Sequence, residues 1–562
     1  MPTIEINKDD LDRLLGRSLS SDELDHFLPL AKAELKDFQP DTGEMKIELN
    51  DTNRPDLWSL GGFARQLKIK MTGVAPAYSF FGAPCAEDYR IEIDPELEKI
   101  RPFIGAFSAS GPPISESQLI QLIQTQEKLS ENYGRRRLTL SLGIYELSNV
   151  SFPVKYQAVD PNKTSFIPLG YESEMSLNQI LQEHPKGQEY SYILENLDKV
   201  PYFVDNLDGV LSFPPIINSR RSGEIKPGET EFFIEATGVD MNTVMHGLNI
   251  FACNLADQGF EIQPVLVEYP YETPLGRKIT TPYHFNKKMR VSISDFTNSL
   301  GQDFDAETII LNLEQYGIPS HQEDQEIIGK LPSYRLDYLH PVDMIEDFSI
   351  SIGYNSFEPL MPADFTVGRL SETEEYSDKV RQLMIGYGFE EIISNILISK
   401  RELTDLMGHE DAAVLEVANP MTLAHASLRN SIIPSLMRIE AASPKSAYPH
   451  KIFEVGDIVV ADPQANLGSR TNLSLGVLIA HPSVNFSEMD SFLTILMFHL
   501  GQEFSKKPTD FPALIPGRSG QILVQGINVG VIGEIAPLVL EKWNIGVPVS
   551  VFEIDLQKLF HL

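Results

Sequence analysis

Four acidic side chains lie close together in one short stretch of the sequence. They are Asp337, Asp343, Glu346 and Asp347. Proline is tolerated in the first turn of a helix and glycine at its end, so the sequence predicts a helix from about Pro341 to Gly353. Residues three and four positions apart share a helix face, which brings the last three carboxylates together. The first precedes the helix on an alternating apolar stretch, which predicts a short strand.

Crowded carboxylates need protons, solvent or a cation. Two of them about 5 Å apart repel by roughly 3 kcal/mol at an effective dielectric constant near 20. Mg²⁺ and Ca²⁺ prefer carboxylate oxygens, and no Cys or His pattern here indicates a softer metal. A solvated acidic helix face explains the same spacing, since such faces are common. The spacing alone therefore leaves a metal site and a solvated face as alternatives.

Length and composition bound the class of protein. The chain has 562 residues, 42% of them hydrophobic, which predicts three or four packed domains. A net charge of -33 and a pI near 4.7 argue against a chain that wraps nucleic acid unaided, so any RNA contact is expected to be local or carried by a partner. Two cysteines, Cys85 and Cys253, form neither a disulfide framework nor a zinc spacing.

The expected location is the cytoplasm. The N-terminus MPTIEINKDDLDRLL is charged from the outset and lacks the apolar core of a signal peptide. No apolar run approaches the roughly 18 residues that a membrane span needs. We therefore expect no membrane association.

The acidic stretch continues into IGYNSFEP, and together they resemble the metal-site domain of the phenylalanyl-tRNA synthetase beta subunit. That family's pattern is D-x5-DL-x-E-[ED]-x-A-x-x-YGYNNI-P, and Asp347 stands where many relatives have Glu. The form resembled is the shorter archaeal or eukaryotic type, also found in some bacteria. Seven further segments resemble the family in the same order: 48–67, 101–111, 133–147, 184–194, 211–219, 232–240 and 418–437.

The resemblance implies a metal ion, a partner and a reaction. It places a Mg²⁺ on Asp337, Asp343, Glu346 and Asp347, shared with an alpha subunit. The alpha subunit would use ATP to activate phenylalanine and attach it to the phenylalanine tRNA. The assembly implied is an α₂β₂ heterotetramer, in which this chain supports the alpha subunit and contacts the tRNA.

The expected fold class is α+β with several domains. Residues 1–85 are predicted to form a small mixed domain and 86–264 an α/β editing domain. A linker and a winged-helix-like metal-site domain follow over 265–365. Residues 366–562 resemble a class II synthetase module, an antiparallel sheet with helices.

The class II module is predicted to be catalytically inactive. A working site has a glycine-rich strand that ends in Glu-Arg, whereas the segment GVIGEIAPLVLEKW at 530–543 contains no arginine. The adenylation transition state then has no evident charge donor. Arg429 and Glu454 are expected to hold the sheet and a helix together instead.

The editing domain implied by the resemblance hydrolyses tyrosine wrongly esterified to the tRNA. An apolar synthetic pocket rejects a substrate with one added hydroxyl by only about 10²-fold, so a second site must remove the error. The chain shows no Ser-His-Asp or Cys-His arrangement, which favours an oriented water as the nucleophile. The candidate residues are Asn218, Ser219, Glu235, Thr237 and Asp240.

Each editing candidate also has a structural explanation. Asn218 and Ser219 either donate to the ester or to water, or form a turn. The other three either bind the tyrosine hydroxyl or the water, or occupy strand and turn positions. The run from Arg135 to Arg137 either meets tRNA phosphates or forms ion pairs.

Two other functions fit the same residues. One is a freestanding Mg²⁺-dependent hydrolase that uses the acidic stretch, although only His340 lies near enough in sequence to move a proton. The other is a noncatalytic scaffold that has lost editing. Assays of phenylalanylation and of tyrosyl-tRNA deacylation separate the three interpretations.

Overall fold

The computed structural model describes residues 2–50, 53–86, 88–409 and 413–561, and it divides into two compact units. The first unit is Met1–Met361 and the second is Pro362–Leu562. Both combine helices and sheets, so the chain is a mixed α/β protein with several packed cores. In the described ranges, no helix is both long enough and apolar enough to cross a bilayer.

The first unit begins with a three-stranded antiparallel sheet. Its strands, in spatial order, are Thr3–Asn7, Glu44–Leu49 and Ala33–Gln39. Ser20 caps the helix Ser21–Phe27 through a capping box with Glu23, as the sequence spacing predicts. The helical segments here are Lys8–Leu15, Ser21–Phe27, Leu28–Ala31, Pro55–Leu57 and Leu60–Thr72.

A ten-stranded sheet, here called the large sheet, follows in the first unit. It is antiparallel except where Arg90–Ile93 pairs with its two neighbours. The predicted domain boundary at 264 falls inside its strand Glu261–Glu268. Nine strands have the spatial order Ile217–Asn218, Val210–Phe213, Val200–Val204, Val154–Val159, Arg90–Ile93, Glu261–Glu268, Phe103–Ser110, Glu231–Gly238 and Ser141–Glu146, and Lys278–Thr281 pairs with Glu261–Glu268.

Helices cover the large sheet. Met241–Asp257 packs on two central strands and is buried over most of its surface, because Val244, Leu248 and Phe251 lie in the core with its other apolar side chains. A two-stranded ribbon, Ser165–Phe166 with Met175–Ser176, lies apart from the sheet. The remaining helical segments are Pro95–Lys99, Glu116–Lys128, Leu129–Tyr133, Leu147–Asn149, Leu177–Glu183, Pro185–Tyr190, Ser191–Leu194 and Arg220–Gly223.

A small three-stranded sheet and its helices complete the first unit. The strands are Lys288–Ser292, Glu326–Lys330 and Ser320–Glu323. The predicted acidic helix is confirmed as Pro341–Ile352, but the predicted strand before it is wrong. Residues around Asp337 are irregular, because side-chain bonds rather than a neighbouring strand hold them. The helices are Ile293–Leu300, Ala306–Glu314, Pro341–Ile352 and Tyr354–Ser356.

The second unit is built on a seven-stranded sheet. Its strands, in spatial order, are Glu390–Glu391, His450–Ala461, Ser469–Ala480, Val549–Asp555, Ile527–Ile535, Leu514–Val524 and Phe504–Pro508. Only the first pair is parallel among these strands.

Helices and a second, smaller sheet pack around the seven strands. The smaller sheet joins Leu397–Ile398, Ser427–Leu428 and Leu415–Glu416. The helical segments of the second unit are Glu372–Gly386, Lys400–Leu403, Asp405–Met407, Leu423–His425, Ile433–Ala442, Phe486–His499, Pro537–Trp543 and Leu556–Phe560.

Candidate functional site

A cavity of about 300 Å³ lies between the large sheet and the helix Glu116–Lys128. The strand Glu231–Gly238 forms part of its wall. Alternate residues of a strand face the same side of the sheet, so Glu235 and Thr237 point in one direction. Glu235 reaches the cavity itself, and Asn218 lines it from the edge of the sheet. Two of the five predicted editing residues therefore meet at one cavity.

Glu235 is held by a short chain of hydroxyl groups. The Tyr145 hydroxyl lies 2.9 Å from Oε1 of Glu235 and 2.8 Å from Oγ of Ser212. Strand pairing places Gly143 directly beside Glu235. A Cβ at Gly143 would lie 2.6 Å from Oε1 of Glu235 and 2.3 Å from the Tyr145 hydroxyl, so only glycine leaves room for this arrangement.

The second carboxylate oxygen of Glu235 has no partner. Glu235 is 2% exposed, and its Oε2 makes no hydrogen bond to any part of the chain that the structure describes. Burial raises the pKa of Glu235 from 4.5 to about 7, although the Tyr145 hydroxyl and the Arg101 guanidinium both favour the ionised form. A buried polar atom without a partner is costly, which singles out Glu235 among the residues that line the cavity.

The other predicted editing residues have structural partners. Thr237 is fully buried, and its Oγ1 accepts a hydrogen bond from Nε of Arg101 at 3.0 Å. The Ser219 hydroxyl donates to the carbonyl oxygen of Val210 at 2.6 Å. Asp240 begins the helix Met241–Asp257 and accepts from the backbone N–H of Thr243 at 2.7 Å. None of these three side chains lines the cavity among the described residues.

Sequence reasoning missed three residues of this site: Gly143, Tyr145 and Ser212. All lie in segments that carry the family resemblance, 133–147 and 211–219. Their roles depend on strand register, because Tyr145 and Ser212 come from strands that are not consecutive in the chain. Alternation along LGIYE was the available signal, since it places Gly143 and Tyr145 on one face.

The acidic stretch is divided between a buried pair and an exposed pair. Arg335, 3% exposed, donates from Nη1 to Asp347 at 2.6 Å and from Nε to Asp337 at 3.1 Å. The Tyr338 hydroxyl also donates to Asp347. Burial opposes ionisation of Asp337, yet the Arg335 guanidinium lowers its pKa to about 2. Burial dominates at Asp347 and raises its pKa.

The exposed pair, which consists of the half-buried Asp343 and the exposed Glu346, lies on the outer side of the helix Pro341–Ile352. Oδ2 of Asp343 accepts from the backbone N–H groups of Leu339 and His340, both at 2.7 Å, and so closes a capping box. Glu346 is paired with Lys32 at 2.8 Å. Both interactions lie at the surface, where solvent screens them.

The donor atoms of the acidic stretch fit Mg²⁺ in chemical type. Within the ranges described, no group of three or more Asp, Glu, His or Cys side chains is placed to hold a metal ion. Mg²⁺ usually keeps several waters and is bound through one or two carboxylates, so Asp343 and Glu346 are the residues of this stretch that could hold it. Asp337 and Asp347 are both paired with the single guanidinium of Arg335.

The second unit contains a buried ion pair between Arg429 and Glu454. Arg429 Nη2 lies 2.8 Å from Oε1 of Glu454, and both side chains are at most 4% exposed. Arg429 also donates to the Ser394 hydroxyl at 2.7 Å and to the carbonyl of Asp457 at 2.8 Å. Nη1 of Arg429 also lies 3.4 Å from the Ser435 hydroxyl on the helix Ile433–Ala442, so these contacts join strand and helix, which agrees with the structural role predicted for both residues.

Known proteins are similar to this chain over its whole length. Residues 289–354 match the family described as tRNA synthetase B5 domain, and residues 358–556 match the phenylalanyl tRNA synthetase beta chain CLM domain. The phenylalanine–tRNA ligase beta subunit of Borrelia garinii subsp. bavariensis is 41% identical over 100% of this chain and 99% of its own. That of Borrelia hermsii is 40% identical over 100% of both chains.

A solved structure shares the fold of the first part of the chain. It is an N-terminal fragment of the phenylalanyl-tRNA synthetase beta subunit from Pyrococcus horikoshii, with a TM-score of 0.59 and 33% identity. The match covers 63% of this chain and 100% of that fragment. These matches define a subunit of an aminoacyl-tRNA synthetase.

The chain belongs to the family of phenylalanine–tRNA ligase beta subunits. The relatives that span its full length are bacterial, so the archaeal or eukaryotic subtype stays a prediction. B5 domains of such beta chains are associated with Mg²⁺.

Proposed function

We propose that this chain removes wrongly attached tyrosine from the phenylalanine tRNA within an α₂β₂ phenylalanine–tRNA ligase. An alpha subunit attaches phenylalanine with ATP, and this chain supports it and hydrolyses the mischarged product. One observation carries the proposal: Glu235 lines a cavity of about 300 Å³, and its Oε2 is buried and has no partner among the described residues. That volume is at the lower end of the range for small-ligand pockets.

Glu235 supplies the discrimination between tyrosine and phenylalanine. Its free oxygen hydrogen-bonds the tyrosine hydroxyl, which a phenylalanine ring cannot replace. Asn218 lines the same cavity and orients the ester or the attacking water. The water oxygen bonds to the carbonyl carbon, the ester bond to the ribose oxygen breaks, and that ribose oxygen takes the proton.

The acidic stretch Asp337, Asp343, Glu346 and Asp347 is proposed to hold a Mg²⁺ near the alpha subunit. The exposed pair, Asp343 and Glu346, provides the accessible oxygens. The buried pair keeps Arg335 and the preceding segment in place. The ion, when bound, would supply positive charge that offsets the acidic side chains of this stretch.

Replacement of Glu235 by Gln in the complete α–β complex tests the editing function. We expect deacylation of tyrosyl-tRNA to fall by about 10- to 100-fold, because a hydrogen bond to a charged group is worth about 1.5–3 kcal/mol. Glu231→Gln, on the same strand but exposed, is the matched control. Deacylation by the Glu235→Gln complex at the rate of the control would contradict the proposal.

A noncatalytic scaffold is the second candidate function, and the same assay separates it. A wild-type complex that charges tRNA with phenylalanine but never deacylates tyrosyl-tRNA would establish the scaffold. The freestanding hydrolase is not favoured, because the chain belongs over its full length to a ligase subunit family.

A further inference from the structure

Three consecutive arginines adopt left-handed backbone conformations beside the cavity. The φ angles of Arg135, Arg136 and Arg137 are 50°, 54° and 64°. Residues with a side chain seldom adopt this region, and each pays about 1–2 kcal/mol to do so. Backbone bonds from Arg136 to the carbonyl of Glu131 at 2.7 Å and from Arg137 to that of Ser130 at 2.8 Å hold the turn. The strained turn is therefore a defined structure.

Arg137 attaches this turn to the wall of the cavity. Its Nη1 donates to the carbonyl oxygens of Pro215 and Ile216 at 3.1 and 3.0 Å, and both of these residues line the cavity. Its guanidinium also lies 4.3 Å from the centre of the Tyr190 ring and pairs with Glu131 at 3.3 Å. The Arg137 guanidinium is thus bonded within the protein, whereas Arg135 and Arg136 lie at the surface.

Arg135 and Arg136 are exposed and unpaired. Among the described residues neither guanidinium has a hydrogen bond or an ion pair, although the chain carries a net charge of -33. The Arg136 guanidinium lies 5.7 Å from the centre of the Tyr192 ring. Tyr192 is 45% exposed, and its hydroxyl donates to the carbonyl of Arg136 at 2.8 Å. The nearby acids Glu131 and Glu189 are already paired, with Arg137 and with Lys186.

We propose that Arg135, Arg136 and Tyr192 bind the single-stranded 3′ end of the tRNA whose terminal ester enters the cavity. This inference rests on the proposed editing function and assigns the residues that hold its RNA substrate. Guanidinium groups contact phosphates, and an exposed aromatic ring stacks on a base of a single strand. Arg136 lies over Tyr192, so one site presents both chemistries. Such a small basic surface suits an acidic chain that meets RNA only locally.

The test measures binding of unacylated phenylalanine tRNA by the α–β complex. Two tRNA probes are compared, one intact and one without its unpaired 3′ nucleotides, at several salt concentrations. The variants are Arg135→Ala with Arg136→Ala, and Tyr192→Ala. The controls are Arg277→Ala, an exposed arginine on another hairpin, and Tyr192→Phe, which keeps the ring. Circular dichroism confirms that each variant is folded.

The double arginine variant is expected to bind intact tRNA about tenfold more weakly. Loss of two phosphate contacts on a single strand makes the slope of log K against log salt concentration less negative by about 1.4. Tyr192→Ala is also expected to weaken binding about tenfold, within the range for loss of one stacked base, whereas Tyr192→Phe binds like the wild type. For these variants, the difference in affinity between intact and shortened tRNA should largely disappear.

Two results would overturn this inference. One is wild-type affinity of the arginine variant for intact tRNA, and the other is equal weakening for both tRNA probes. Because unacylated tRNA is used, neither result depends on hydrolysis. A wild-type complex that fails to deacylate tyrosyl-tRNA would instead overturn the proposed function.

Discussion

Buried carboxylates in this chain differ in whether a cation contacts them. Glu454 is in direct contact with Arg429, and Asp347 with Arg335, so their charges are neutralised. Glu235 is equally buried, but within the described ranges its carboxylate has a hydrogen bond only from the Tyr145 hydroxyl. The ion-paired carboxylates accept from cationic donors, whereas the single hydroxyl at Glu235 leaves its Oε2 able to accept a further hydrogen bond. At the scale of the residue, an unpartnered oxygen beside the cavity distinguishes the candidate functional group, since the buried Glu553 also lacks a cation but has hydrogen bonds to both of its oxygens.

The protonation of Glu235 makes local stability depend on pH. Its pKa is about 7 in the folded chain and 4.5 ordinarily, so the folded chain holds the proton more tightly. Stability is therefore lost as the pH rises from 4.5 toward 7, by about 3 kcal/mol in total. Glu235→Gln removes this loss. Hydrogen exchange of the strand Glu231–Gly238 is measured in the wild type and in Glu235→Gln at pH 5 and pH 8. From pH 5 to pH 8, the variant should gain protection relative to the wild type.

A constant difference between the two chains across that pH range would contradict this assignment. Glu231→Gln provides the control, since its side chain is exposed on the same strand. Its stability difference from the wild type should not change over the same window.

Tyr145→Phe is expected to impair the use of Glu235 without removing it. The Tyr145 hydroxyl stabilises the ionised carboxylate, so its loss raises the pKa of Glu235 further. Tyrosyl-tRNA deacylation should fall by about tenfold, and any inflection of its pH profile should move to higher pH. A pH profile measured from 6 to 9 is the check. An unshifted profile with full activity would show that Tyr145 does not position Glu235.

At the scale of the element, the helix Pro341–Ile352 keeps its two acidic pairs in different environments. Asp347 faces inward to Arg335, whereas Asp343 and Glu346 face outward. Arg335 comes from the segment before the helix, so one guanidinium joins segment and helix. The spacing of acids along the helix thus serves both packing and the proposed metal site.

Replacement of single acids should separate these two roles. Asp347→Ala leaves the buried Arg335 with half of its partners, and we expect a loss of about 3 kcal/mol in stability. Glu346→Ala removes an exposed pair with Lys32 and should change stability little. Urea unfolding, monitored by hydrogen exchange of the helix Pro341–Ile352, measures the stability of each variant. Equal stability of both variants would contradict the division into buried and exposed pairs.

Mg²⁺ affinity should depend on Asp343 and Glu346, whereas stability depends on Asp347. Glu346→Gln and Asp343→Asn remove the accessible oxygen charges and should weaken Mg²⁺ binding by about tenfold or more in the α–β complex. Asp22→Asn, an exposed acid in a different helix, is the control. Titration calorimetry with Mg²⁺ alone measures this, and unchanged affinity in both variants would remove the exposed pair from the proposed site.

At the scale of the molecule, buried polar contacts bind the parts of the first unit to one another. The Gln66 side chain donates to the carbonyl of Tyr316 at 3.3 Å, and the Tyr316 hydroxyl donates to the carbonyl of Leu30 at 2.8 Å. The Arg65 guanidinium donates to Asn254 at 2.6 Å. These contacts join the N-terminal, large-sheet and small-sheet portions within the first unit.

Residues 1–361 expressed alone are therefore expected to fold. The fragment should unfold cooperatively, because its portions share buried contacts. It should also deacylate tyrosyl-tRNA, since the cavity lies wholly within it. It should not join the alpha subunit as firmly as the whole chain. Size-exclusion chromatography and the deacylation assay check this, and an unfolded fragment would contradict it.

The sequence by itself determined the local elements and the family. The helix from Pro341, its stop at Gly353 and the capping box at Ser20 follow from local rules of proline, glycine and side-chain capping. The family words in order predicted a beta subunit of this ligase, which the relatives confirm.

Only the tertiary structure decided which of the predicted residues meet. Glu235 and Asn218 reach the cavity, whereas Asp240 caps a helix and Ser219 closes a turn. Tyr145 comes to Glu235 through strand register, and Arg335 divides the acids by burial. Local propensity acts over a few residues, but register and burial depend on contacts between distant segments. For that reason the spacing of acids predicted a cluster, and packing alone determined the partner of each one.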